Sequence, residues 1–518
     1  MKWVFQKDPI CGRGKGMSKP RLRILKFLFL SSLLILPACG GGGTGGGSSG
    51  GGTTPLALTV GGTGSYSTVQ SAINAANSGD TVKVAQGTYA ENISISTSKT
   101  VAILGGWSKD FSYRSEDSSL TVIDGKGLKS TFDIHAGANT SINVTLEGVT
   151  IRNGKAEKGG GLHAESSGSG VSLILNLKNV RISNNKSDVD GGGFWAESSQ
   201  SGAKTELTIS NSIISENASR EGGAASLTSF GGGTVIAVFD LCQISLNTAT
   251  DFAGGVWINS SGGSTKVTLS RSAISQNTGA NLDAGGIGVY ASGSGSTTEL
   301  TLEKNVIRDN KAGYGGGVMG YAWGTGALAT IALSNNILAG NEALMGGAIF
   351  SCSGKTDPGT IPGGTVNWRL TNNTITANRA TQYAGGIQLH SGSNYGDGGS
   401  ISISMRNDVL WGNSDPQGGV QLYVGVEIGK SGAASADLHY SDVGSIAAYG
   451  AGTYSLDQTV NMDPQFADPA NYNFLLQTGS PVIDSGDPNP LYNDGQRPPG
   501  RGTERADMGA YGGPNYLN

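Results

Sequence analysis

Apolar and polar residues alternate in short runs along most of the chain. "TELTISNSIIS" (Thr205–Ser215) and "TKVTLSRSAIS" (Thr265–Ser275) are typical. A period of two is the signature of a half-buried strand. Each run is followed by an asparagine, a short polar stretch and a glycine pair, as in "NASREGGAAS" (Asn217–Ser226) and "NTATDFAGGV" (Asn247–Val256). The unit returns after roughly 31 residues, with glycine pairs beginning at 159, 191, 222, 254, 285, 315, 346, 385 and 418. Two or three short strands per unit cannot bury an apolar face alone, so the units must stack and pair their strands in parallel. The β-branched, Ser/Thr and Gly content rules out helix pairs, and the unit is too short for a four-stranded propeller blade.

The repeating residues have physical roles at the corners. Asparagine tolerates left-handed backbone, and its amide can bond backbone or stack into a ladder. Paired glycines allow a tight turn and close approach between coils. The prediction is an all-β parallel β-helix of about ten coils over residues 56–445, its right hand implied by the family resemblance given below. A short helix within "STVQSAINAANSGD" (Ser67–Asp80) should cap its start, with Ser67 and Gln70 as a capping box and Val69, Ile73 and Ala76 facing the core. Residues 446–518 are expected to cover the last coil.

The first 38 residues stand apart. "RLRILKFLFLSSLLILPAC" has a basic start and an apolar run too short to span a membrane, which is the grammar of a secretory signal. Met17 gives a more conventional start. "LPAC" resembles the bacterial lipobox, and that resemblance implies lipidation of Cys39 and an outer-membrane location, facing periplasm or exterior. Residues 39–55 then form a Gly/Ser tether with a span of about 20 Å.

Composition narrows the partners. Glycine supplies 86 of 518 residues, without the three-residue period of collagen. Residues 1–38 hold eight basic and one acidic residue; the remainder has 27 basic and 38 acidic, a net charge of −11. A nucleic-acid partner is therefore excluded. Cys242 and Cys352 lie too many coils apart to pair with each other. A monomer is expected.

The units "ISEN…GGAAS", "ISLN…GGVWI" and "ILAGN…GGAIF" resemble the repeats of polymorphic outer membrane proteins, which build β-helices of the pectate-lyase-like superfamily. "DPQFADPANYNFLLQTGSPVIDSGDPNP" and "RADMGAYGGPNY" resemble a C-terminal choice-of-anchor segment. The resemblance implies a surface-exposed, adhesin-like protein, or a polysaccharide lyase or glycoside hydrolase. The adjacent-aspartate and Arg-Ile-Lys motifs of related galacturonases are absent.

Stacking turns equal offsets into neighbours. Leu162, Phe194, Val256, Ile287, Val318 and Ile387 should point inward. His163, Trp195, Trp257, Met319 and Ile349 should point outward, with Tyr290, Tyr321 and His390 two places further on. Exposed, the rings of His163, Trp195, Trp257, Tyr290 and Tyr321 would offer a platform for sugars or a partner protein; neighbouring loops covering them is the competing explanation. Asp188, Asp190, Glu221, Asp251 and Asp283 precede the glycine pairs and form a candidate Ca²⁺ site, or a solvated turn-forming edge. Glu165 and Glu197 share one offset in "GLHAESS" and "GFWAESS", so stacked carboxylates about 5 Å apart would suit a retaining glycosidase. Near-copying of the two stretches explains the match equally well. The reading favoured is a non-catalytic binding surface.

Overall fold

The computed structural model describes residues 55–279, 283–354, 363–392 and 397–517. Residues 1–38, expected to be a secretory signal, and Cys39 lie outside the described residues.

The chain winds as a right-handed parallel β-helix of about eleven turns. Three long parallel sheets run its length, of 14, 12 and 12 strands. One turn shows the plan. Strand Lys204–Ser210 lies in the back sheet, Ile213–Ser215 in the side sheet, Ala218–Glu221 in a fringe sheet and Ala225–Phe230 in the front sheet. Alternate side chains of the three long sheets point into one continuous core that includes Leu207, Ile209, Ile214 and Leu227. From strand Lys99–Trp107 onward, register is unbroken from turn to turn in the back sheet, as in Leu175↔Leu207↔Ala237↔Val267.

Two hydrogen-bonded columns explain the recurring asparagines. Asn185, Asn217, Asn247, Asn277, Asn310, Asn341, Asn378 and Asn413 form a buried ladder, each Nδ2 donating to the next Oδ1 at 2.8–3.0 Å. Gln421 Oε1 accepts from Asn413 and ends it. Each rung also donates to a core-strand carbonyl, for example Asn277 Nδ2 to Ile244 O at 2.9 Å. The ladder residues do not themselves adopt left-handed backbone. That geometry falls one residue earlier, at Asn184, Glu216, Leu246, Gln276, Asp309 and Ala377. The asparagine is needed for its amide, and the turn accepts several residue types before it. A second column, unforeseen in the sequence, runs Ser272, Asn305, Asn336, Asn373 and Asp408 at the other corner.

The capping helix is Val69–Ala75, with Val69, Ala72 and Ile73 buried on the first turn. Its N-cap is Thr68 rather than Ser67: the Thr68 hydroxyl accepts from Ser71 N. Glu91 accepts from the first two helical amides at 2.8 and 2.9 Å. Gln70 is thereby released to bond Asn74 and Ser94.

The sheets continue past residue 445, since Ile446–Tyr449 and Thr453–Asp457 add a last rung to the front and back sheets. The C-terminal segment does not plug that end. It folds back along the side sheet, where Phe466, Phe474, Leu476, Val482, Met508 and Ala510 pack on Ile337, Ala339 and Val409. Asn335 and Asn372 donate to the carbonyls of Ala510, Gly512 and Asp507 at 2.8–3.1 Å. Strand Thr453–Asp457 is exposed throughout.

Candidate functional site

The fringe sheet decides what the front face offers. Strands Lys155–Lys158, Lys186–Asp190, Ala218–Glu221, Thr248–Phe252 and Thr278–Gly279 pair in parallel and lie over the outward side of the front strands. The glycine pair makes this fold-over possible. Gly191 has φ +62°, and a Cβ there would meet Phe194 O at 2.1 Å; a Cβ on Gly192 would meet Ala218 O at 2.5 Å.

The alternation expected for the front strands is largely correct, but the outward rings are covered. Trp195, Trp257, Tyr290 and Tyr321 are 2, 3, 5 and 7% exposed. Trp257, Tyr290, Met319, Tyr321 and Phe350 form a second core with Ala253, Ala284, Tyr314 and Met345. Trp257 and Tyr290 ring centroids lie 3.9 Å apart, and Tyr321 Oη donates to Gly354 O at 2.6 Å. No open aromatic platform exists at these residues, because a second layer of backbone removes them from water. Ile349, expected outward, belongs to the main core, and Phe350 takes the outward place.

The acidic edge also departs from expectation. Asp188 is exposed, Asp251 is half-exposed, and Asp283 is buried in a hydrogen bond with Tyr290. Asp190 and Glu221 are rung partners whose carboxyls hydrogen-bond each other; burial raises both, and their mutual charge raises Glu221 further. Arg220 lies 2.6 Å from Glu221 and 3.8 Å from Asp251. Register shifts in the fringe place Phe252, not Asp251, opposite Glu221. The bulge disperses the acids, a guanidinium already occupies their edge, and among the described residues no group of three or more ligating side chains is placed to hold a metal ion.

A groove with a volume of about 840 Å³ opens on the surface. It lies where the fringe begins. The front strands Ile93–Ile95 and Phe132–Ala136 precede the first fringe strand, so the two-layered face steps down to one layer there. Its floor carries His163, Glu165, Trp195 and Glu197, with Asp133 and Lys158 beside them. Rung pairing places Asp133, His163 and Trp195 in one column and Glu165 and Glu197 in the next.

Charges on the groove floor are paired. His163 Nδ1 lies 2.8 Å from Asp133 Oδ1, and its Nε2 lies 3.5 Å from Glu165 Oε2, an ionic contact without hydrogen-bond geometry. Burial opposes the charged ring, but the two carboxylates outweigh it and hold His163 at about 9. Contact with His163 in turn holds Glu165 below its ordinary value. Glu197 is driven the other way: burial lifts it to about 7, against Lys158 at 3.5 Å. Lys158 Nζ sits 4.0 Å from the Trp195 ring centroid, and His163 stacks on the same ring at 4.7 Å. Trp195 is therefore a platform for protein groups rather than for a ligand ring.

Four of the residues singled out in the sequence converge here: His163, Glu165, Trp195 and Glu197. Asp133 and Lys158 were missed. Asp133 shares the offset of His163, but its turn has no glycine pair to mark it. Lys158 reaches the floor only because its strand folds over. Chemically, the arrangement sets a carboxyl that keeps its proton near neutrality beside one that gives its proton up.

Fold and site define the class: a parallel β-helix protein with a charged surface groove. Among solved structures, the crystal structure of pectate lyase Pel9A is similar, at 13% identity and a TM-score of 0.40, over 89% of this chain and 96% of that one. No family model and no curated protein matches the sequence.

Proposed function

We propose that this chain is a cell-envelope lipoprotein, anchored through Cys39, whose β-helix holds a carbohydrate chain in the groove beside the first fringe strand. The observation that carries the reading is the groove itself. It is open to solvent, and Asn92, Ser94, Ser130, Lys158, Glu165 and Glu197 supply both hydrogen-bond donors and acceptors. Its volume lies in the range of ligand clefts. A polyhydroxylated chain matches such a lining better than an apolar ligand does. Affinity electrophoresis of the Cys39→Ser chain in gels containing dissolved polysaccharides tests it: retardation that disappears in Glu165→Ala/Lys158→Ala supports the reading, and uniform mobility in every gel refutes it.

A second reading is cleavage of the bound chain. It rests on the opposed proton affinities of Glu165 and Glu197 on adjacent rungs. Glu197 would protonate the leaving oxygen and Glu165 would act as the ionised partner. Reducing-end assays separate the two. Cleavage abolished by Glu197→Gln supports catalysis; retention without new reducing ends supports binding alone.

A further inference from the structure

We infer that the groove selects a neutral, hydroxyl-rich oligosaccharide over a polyuronate, and takes it without a divalent cation. This rests on the reading of the groove as a carbohydrate site. The argument starts from how its charges are spent. Both floor cations are already held: His163 by Asp133 and Glu165 at 2.8 and 3.5 Å, and Lys158 by Glu197 at 3.5 Å. At the rim, Lys129, Lys155 and Glu157 line the groove. The lining thus presents four cationic groups, these three lysines and His163, against four carboxyls, Asp133, Glu157, Glu165 and Glu197.

A uronate carboxylate entering this floor would have to displace a protein carboxylate from Lys158 or His163. Doing so leaves a buried charge without its partner, which is strongly unfavourable. A hydroxyl carries no such requirement, because it both donates and accepts and inserts between paired charges without altering their balance. A bridging cation is disfavoured as well. Each inner carboxylate already faces a protein cation, and no group of three or more ligating side chains among the described residues is arranged for a metal ion.

The test is isothermal titration at pH 8, where Glu197 is ionised, of the Cys39→Ser chain with cellohexaose, xylohexaose and mannohexaose, and with hexagalacturonate, each in EDTA and again in millimolar Ca²⁺. The expected result is binding of at least one neutral hexaose, with the same Kd in both buffers and at least tenfold tighter than hexagalacturonate. Glu197→Gln, which leaves Lys158 without its carboxylate, should tighten hexagalacturonate about tenfold. Preference for hexagalacturonate, dependence on Ca²⁺, or no gain for hexagalacturonate in Glu197→Gln would overturn the inference and leave the carbohydrate reading standing. Failure of all four hexaoses to bind in either buffer would remove the carbohydrate reading and the inference together.

Discussion

Glu165 and Glu197 are rung partners in near-identical sequence contexts, yet they hold protons oppositely. His163 stands against Glu165, whereas Glu197 lies deeper, under the fringe. The consequence is a pH-dependent cost. Glu197 is lifted from an ordinary 4.5 to about 7, so the folded state keeps its proton after the unfolded state has lost it. Stability contributed by this group is fully present below pH 4.5 and is lost as pH rises to 7. Glu197→Gln, which cannot ionise, should match the parent near pH 4 and gain on it across that window, by at most about 3 kcal/mol above pH 7. Urea titrations at pH 4, 5.5 and 8 measure this; a constant difference across pH would contradict the assignment.

The second core predicts a large effect at a residue whose alternation alone suggested exposure. Trp257→Ala should cost about 3–5 kcal/mol, because it empties a ring-lined space under the fringe. Ile258→Asp, one residue along and in the main core, should cost at least as much. A Trp257→Ala loss below about 1 kcal/mol in a denaturant titration would place the indole in water.

Asn277→Ala should cost about 2–4 kcal/mol. It removes the acceptor of Asn247 N, one of the acceptors of Asn247 Nδ2, and the side-chain donor to Ile244 O, all in a buried column. Thr278→Ala, next in sequence and outside the ladder, should cost far less. Comparable losses from the two, read by thermal unfolding, would mean that the amide column contributes little.

The C-terminal segment should detach without unfolding the β-helix. Met508→Asp places a charge in the satellite core against Ile337 and Val409. Limited proteolysis should then cleave within residues 458–517 and leave a resistant fragment ending near Asp457. Simultaneous loss of the whole chain would show that the segment and the coils fold as one unit.

If Cys39 is lipidated as proposed, Cys39→Ser should release the chain from the membrane fraction with its far-ultraviolet circular dichroism unchanged, because Cys39 lies before the first strand, Ala57–Val60. Retention of the Ser variant on membranes after a salt wash would refute the lipid anchor.

The sequence by itself determined the rungs. Alternation fixes which side chains of "TELTIS" enter the core, as Leu207 and Ile209 do, and the spacing of Asn217, Asn247 and Asn277 fixes that they meet. Both follow from local periodicity, since a period of two sets a strand face and a constant repeat sets the register. The tertiary structure alone decided what lies over a rung. Whether Trp257 meets water depends on the fringe strand Thr248–Phe252 folding across it, and whether Asp251 meets Glu221 depends on a one-residue bulge. The C-terminal segment found the side sheet rather than the open end because Ile337, Ala339 and Val409 present an apolar strip there and the amides of Asn335 and Asn372 bind its carbonyls. These outcomes depend on contacts between layers, which no repeat period encodes.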